Sequence, residues 1–347
     1  MRKVLLASTA LCLGAGTAFA QDMGMSDGMM DMAPTVTLSG DGRMGVISDK
    51  DDNLKFSSRV RVSFTLAKEL DGGLSAGGSI RADNASGGAS GTGGSIYLSG
   101  PFGKLSMGDV DPGAKAAIGH VSGVGYVNQG DPNEISYLRG GGDPTLQYML
   151  PKMGPVQVYA SVGMADVIEN GEKVPDGTYT VSTTGGAVSA KENYKKEVSA
   201  DTLSVGAKAD LAIADMGTAW IGGGFEATTK ESDDGHLVIG AGVSASGFSG
   251  TVVAGAQGRT KKDDDGNNVN DDAEQFAVSA GYSAGQIGVT VFYTDDTDFE
   301  GDEAVGAGFS WNLGGGASLK AGFTSWPGQT PTAEDKQTAD LGVTFAF

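Results

Sequence analysis

Cysteine is almost missing from this 347-residue chain: the single one, Cys12, falls inside an apolar leader. Arg2-Lys3, the apolar run 4–17 and Ala18-Phe19-Ala20 read as a secretory signal peptide over residues 1–20, cleaved before Gln21. Thr9-Ala10-Leu11 lacks the small residue that a lipoprotein site wants before its cysteine. An exported chain with neither disulfide nor thiol chemistry is therefore expected. Basic residues are also scarce. Lys plus Arg number 24 against 43 Asp plus Glu, for a net charge of −19, which excludes the basic stripe of a nucleic-acid binder. Beyond the leader there is no apolar run of membrane-helix length, so no spanning helix is expected. Histidines number two, His120 and His236, and neither has a nucleophile and an orienting acid beside it in sequence, which gives catalysis little support. Hydrophobic residues make up only 39%, while Gly reaches 58 residues, too little material for two soluble cores. Either much of the chain is disordered or its apolar side chains face something other than a protein interior.

One motif is misleading. Gly40, Gly42 and Gly45 in "SGDGRMGV" have the G-x-G-x-x-G spacing of a dinucleotide-binding turn. That fingerprint requires a helix whose N-terminus holds the pyrophosphate. The adjoining stretch 44–53 has no apolar face at helical spacing, so the glycines read as permissive positions in a strand. No cofactor and no metal site is expected. Residues 21–34, rich in methionine, read as a flexible extension, with a thioether copper(I) site as the alternative.

Strict alternation dominates the rest. Val60, Val62, Phe64 and Leu66 share one face, and Arg59, Arg61, Ser63 and Thr65 share the other. Val36, Leu38, Met44 and Val46 oppose Thr35, Thr37, Ser39, Asp41 and Arg43, while Leu74, Ala76, Gly78 and Ile80 oppose Ser75, Ser79 and Arg81. Similar segments recur at 94–100, 104–110, 145–150, 154–164, 199–213, 218–229, 237–246, 247–259, 274–284, 286–296, 303–313, 317–326 and 337–347, which makes sixteen. Tight turns at 71–73, 101–103, 152–154, 215–217, 246–247, 284–285 and 314–316 alternate with longer polar loops. This is the pattern of an even-stranded, antiparallel, all-β barrel over residues 35–347. An apolar outside and a polar inside place it in a membrane, where closure pairs every strand edge. Phe102, Tyr148, Tyr159, Trp220, Tyr282, Tyr293, Trp311 and Trp326 lie near segment ends, as interfacial girdles would.

The stretches "VTLSGDGRMGV", "LKFSSRVRVSFTL", "IYLSGPFGKLSMGDV", "LGGGASLKAGF" and "ADLGVTFAF" resemble the general porins of photosynthetic and related alpha-proteobacteria, the Rhodobacter-type family. The resemblance implies a 16-stranded transmembrane β-barrel in the Gram-negative outer membrane, a homotrimer in which each protomer has its own channel narrowed by an inward-folded third loop. It implies passive passage of small hydrophilic solutes and ions, with a surface adhesin or receptor barrel, or an outer-membrane barrel enzyme, as the alternatives. Residues 21–34 are too few for the plug of an energy-coupled receptor. The aromatic end at Phe347 resembles the signal read by the barrel assembly machinery.

Arg43, Arg59, Arg61 and Arg81 fall on the polar face of the first three segments and are expected to line the constriction. The bland alternative is local pairing with Asp41, Asp83 or Glu69. The third loop departs from the family pattern: no acid lies between Pro112 and Gly130, where Lys115 and His120 stand instead, and residues 112–121 read as a short helix. Asp109, Asp111, Asp131, Glu134 and Asp143 border it. Arginines opposite an acid-poor loop favour anions despite the overall charge. The acidic runs at 232–234, 263–267 and 294–303 sit in outer loops, where they are solvated or bridge through divalent ions to lipopolysaccharide. Asp263-x-Asp265-Gly266 lacks the closing glutamate of a calcium loop.

Overall fold

Side chains on an extended backbone alternate between faces, and here the two faces have opposite solvents. The computed structural model describes residues 33–48, 53–83, 90–91, 93–127, 130–132, 134–138, 144–163, 174–184, 187–195, 201–214, 216–228, 233–262, 268–270, 272–296, 303–326 and 336–347. The leader, most of the methionine-rich stretch, the run 263–267 and Asp143 lie outside them. In chain order the strands are β1 (Thr35–Ser48), β2 (Leu54–Leu70), β3 (Leu74–Asp83), β4 (Ser90–Gly91), β5 (Ser95–Gly100), β6 (Gly103–Gly108), β7 (Thr145–Met149), β8 (Val156–Gly163), β9 (Val174–Thr184) and β10 (Ala187–Lys195). The second half comprises β11 (Thr202–Ile213), β12 (Gly217–Thr228), β13 (Asp233–Ala245), β14 (Phe248–Lys262), β15 (Asn268–Asn270), β16 (Ala273–Ala284), β17 (Ile287–Asp296), β18 (Ala304–Gly314), β19 (Ala317–Trp326) and β20 (Lys336–Ala346).

Sixteen of these form one closed antiparallel wall. β3 pairs with β5, β8 with β11 and β14 with β16, so β4, the β9–β10 hairpin and β15 are excursions from it. Pairing of β1 with β20, from Asp41 opposite Ala346 to Ser48 opposite Ala339, joins the ends. Closure leaves no free edge, the condition a bilayer sets. The short connections have the chemistry their geometry needs: Ser246 and Gly247 both take positive φ (50° and 86°), the two-residue hairpin turn that matches strand twist.

Outward positions carry the exposed apolar side chains, among them Leu38, Phe56, Ile96, Phe225, Leu237 and Ile239. Among the described residues no helix is long and apolar enough to cross a membrane, so the strands carry the crossing. Ile239, mid-strand in β13 and 56% exposed, marks this band. Replacing it with lysine is expected to destabilise the folded barrel by about 2–4 kcal/mol if it lies at the bilayer midplane, read by denaturant titration in vesicles, whereas a neutral result would move it to the interface.

The core is inside the barrel. Ala117, Ile118, Val121, Val124 and Ile135 of the third loop pack against Val238, Val253, Ala277, Phe292 and Ala304 of β13, β14, β16, β17 and β18. The interior is therefore apolar on that side. This corrects the expectation of a polar inner face throughout, because the loop covers these wall positions and replaces water there. The aromatic girdle needs a correction too. Tyr159, Trp220 and Trp326 pack against this inner cluster and are not part of an outer belt.

Candidate functional site

The first three strands bring four guanidinium groups to one patch. Register places Arg43 of β1 opposite Arg59 of β2, Asp41 opposite Arg61, and Arg61 opposite Asp83 of β3. Like charges facing across a ladder repel, and two aspartates on the same face offset them. Arg59 Nη2 meets Asp41 Oδ1 at 3.2 Å. Arg61 Nε meets Asp83 Oδ2 at 3.1 Å, and Arg81 donates to the same carboxylate from Nε (2.7 Å) and Nη2 (3.1 Å). Glu69 stands beside the turn at the other end of β2, opposite Ser75. Pairing with Asp41 and Asp83 and clustering of the arginines thus coexist. Asp131 and Asp340 are further charged neighbours of Arg43.

Arg43 reaches across to the third loop, where its Nη1 donates to Tyr126 O at 3.1 Å and its guanidinium lies 6.0 Å from the Tyr126 ring centre. Tyr126 seats in a notch on the wall: a Cβ at Gly45 or Gly342 would come within 2.8 Å of its ring. The first of these glycines is the last of the G-x-G-x-x-G triplet, so its smallness serves loop docking.

The loop itself is fastened at its backbone. Its helix α1 (Gly113–Ile118) starts with N–H groups that have no helical partner. Ser161 Oγ accepts from Gly113 N (2.9 Å) and Ser204 Oγ from Ala114 N (2.8 Å). Further along, Ser279 Oγ accepts from Ser122 N (3.1 Å), Asp340 from Tyr126 N (3.1 Å) and Val127 N (3.3 Å), Gln275 Oε1 from Ser136 N (3.1 Å) and Glu226 Oε2 from Leu138 N (2.8 Å). These anchors come from β8, β11, β16, β20 and β12, so the loop is strung across the interior from wall to wall.

The remaining expected site residues divide in two. Lys115 pairs with Asp111 at 3.2 Å, one helical turn back, and Asp111 O accepts from Gln147 Nε2 at 2.7 Å. Asp109 follows β6 and is exposed; its N–H donates to Gly94 O at 2.7 Å. Asp131 is exposed, with Arg43, His120 and Lys320 as its charged neighbours. Glu134 does not line the passage, contrary to expectation: its side chain is fully buried, accepting from Val121 N at 2.8 Å and facing His120 Nδ1 at 3.4 Å. It braces the loop from inside.

Sequence reasoning missed the anchors, above all Glu226, Gln275, Ser279 and Asp340. A signal was present for two of them, since Glu226 and Asp340 are carboxylates on the inner face of otherwise apolar strands. Their partners lie 88 and 214 residues away, which no local pattern reports.

Known proteins share this fold. A family model described as Gram-negative porin matches residues 7–220. A porin of Rhodobacter capsulatus is 32% identical over 324 residues, covering 90% of this chain and all of that protein. A porin structure refined at 1.8 Å superposes with a TM-score of 0.66 at 25% identity, again over 90% of this chain and all of the other. An engineered triple mutant of the Rhodopseudomonas blastica porin gives 0.63 at 17%, a likeness of fold. A family model spanning most of the chain, a relative matched along its whole length and a closed sixteen-strand wall agree: this chain belongs to the Gram-negative porin family and is a general diffusion porin of the outer membrane.

Proposed function

We propose that the channel is narrowest between the third loop and the wall patch of Arg43, Arg59, Arg61 and Arg81, and that this patch sorts permeants in favour of anions. The observation that carries it is the concentration of guanidinium groups at one place: Arg59, Arg61 and Arg81 pair with Asp41 and Asp83, and Arg43 beside them reaches the third loop at Tyr126 O. Fixed charge beside a narrow aqueous path focuses the field, which acts on a passing ion more strongly than the acidic loops at the wide mouth. The channel then passes small hydrophilic solutes and ions by diffusion, with no covalent step and no cofactor. A cysteine at Arg59 or Arg61 is expected to react with a small water-soluble thiol reagent in the open channel and to change the current. Resistance of both sites would remove them from the passage.

Assembly fits the same reading. Each protomer carries its own channel in a homotrimer, and the acidic outer loops bridge through divalent ions to lipopolysaccharide. Phe347 serves the assembly machinery first and the barrel seam afterwards: its N–H donates to Gly40 O (2.9 Å), and its terminal oxygen accepts from Gly40 N (3.2 Å). Deleting Phe347 is expected to lower the yield of assembled barrel in cells, measured as heat-modifiable protein in outer-membrane fractions.

A further inference from the structure

Away from the arginine patch, the inner wall repeats one construction twice. On β5, Tyr97 lies on the inner face that Arg81 of β3 shares, and the Lys104 ammonium of β6 stands over its ring, 4.4 Å from the centre. On β12, Trp220 lies on the inner face opposite Asp210, and the Lys208 ammonium of β11 stands over its ring at 4.6 Å. In both cases the lysine is the diagonal neighbour on the next strand, facing Ser99 and Gly222 respectively. Both rings are backed by glycine: a Cβ at Gly77 would run into Tyr97, and one at Gly240 or Gly242 into Trp220. The missing side chains let each ring settle against the wall, with a lysine head above it. Both pairs stand near the tight turns at 101–103 and 215–217, in the short-turn half of the lumen. Charge there is not balanced. Lys104 has no carboxylate partner among the described residues, and the half-exposed Asp210 is shared by Lys152 at 3.4 Å and Lys208 at 3.9 Å.

We propose that the Tyr97–Lys104 and Trp220–Lys208 pairs are weak binding stations for acidic sugars, pyranose rings that carry a carboxylate, on their way through the channel. The chemistry of each part points to that class. The face of an aromatic ring is negative and attracts a cation or the polarised C–H groups of a sugar ring. That attraction holds the lysine head over the ring, and its flexible stem lets it swing aside with the carboxylate of an entering acid. The ammonium offers three donors, to carboxylate and hydroxyl oxygens alike. At Trp220, Asp210 adds an acceptor for sugar hydroxyls and Lys152 a second ammonium. An anion without a ring uses only the lysines, and a neutral sugar gains nothing from their charge. A ligand that uses both is held longest. The affinity stays weak, because conduction needs sites that release what they take. The stations require only an open lumen and do not depend on the arginine patch being the filter.

The test is current-noise analysis of the assembled porin in planar bilayers at neutral pH with glucuronate, which has ring and charge, glucose, which has the ring alone, and gluconate, which has the charge on an open chain. Glucuronate is expected to add noise that saturates at a concentration several-fold below that needed for either of the others. Tyr97→Leu with Trp220→Leu is expected to erase the gap between glucuronate and gluconate, and Lys104→Gln with Lys208→Gln the gap between glucuronate and glucose. A ring or charge contact of this kind is worth roughly two- to fivefold in affinity. Tyr97→Leu and Lys104→Gln singly, both on strands outside the buried inner cluster, are each expected to lower the glucuronate noise, and they carry the test if a double variant fails to assemble. Glucuronate and gluconate saturating alike in the wild type, glucuronate noise unchanged in every variant, or no added noise at all would overturn the stations. The reversal potential in simple salt separates this from the arginine filter. Anion preference without a glucuronate effect removes the stations alone, whereas cation preference with that effect removes the filter alone.

Discussion

Replacing Arg59 and Arg61 together with glutamate is expected to shift the channel's ion preference strongly toward cations. The exchange moves the wall patch by four charge units, two for each arginine replaced by a glutamate. A unit charge about 10 Å away in bulk water is worth about 0.4 kcal/mol, so four units shift a passing monovalent ion by about 1.7 kcal/mol before screening. Screening over one Debye length at about 0.1 M salt reduces this to about 0.6 kcal/mol. Anion and cation shift in opposite directions, so their permeability ratio changes by roughly tenfold. The reversal potential under a salt gradient reads this directly, and a double variant that keeps the wild-type value would show that charges elsewhere control the passage. Asp41 and Asp83 lose their ion pairs in the variant, so its assembled yield belongs beside the current as a control.

The second large effect is expected at Asp340. Its carboxylate holds the backbone N–H groups of Tyr126 and Val127, and Tyr126 in turn fills the notch at Gly45 and Gly342. Asp340→Ala strands two donors that pack against the wall. Each unmet buried donor costs about 1–3 kcal/mol, and the loop recovers that energy only by moving its backbone into the water of the lumen. The single-channel current is therefore expected to become noisy at neutral pH, while the thermal stability of the barrel, set by its closed ladder, changes little. A quiet current with a collapsed barrel would place Asp340 in the wall's stability and take away its role as a loop anchor.

Much of this molecule was legible in its residues. Alternation such as Val60, Val62, Phe64 and Leu66 against Arg59, Arg61, Ser63 and Thr65 needs only the two-residue period of a strand and two different solvents. It located all sixteen wall strands and, with the turn residues, the side on which the long loops lie. The short helix expected over 112–121 is present as Gly113–Ile118. The four arginines share a patch because neighbouring strands in sequence are neighbours in space, so their meeting could be read without long-range information.

Other features were hidden for physical reasons. Trp220 and Trp326 lie near strand ends, which suggested a girdle, but position along a strand does not give the face. In β12 the run Gly222-Gly223-Gly224 interrupts the side-chain pattern from which the face would be read. Val238, Val253 and Phe292 broke the polar inner face because a distant segment covers them. Their burial depends on where the third loop lies, and that is fixed by contacts such as Leu138 to Glu226. The β9–β10 hairpin stands in a loop read only as polar.

The most direct measurement is the reversal potential and step size of the wild-type trimer in a planar bilayer under a salt gradient at neutral pH. The account predicts large steps proportional to salt concentration, with a reversal potential of the sign that marks anion preference, because the arginine wall outweighs the acidic mouth. Cation preference would contradict the arginine filter, and the absence of steps from assembled protein would contradict the open diffusion channel itself.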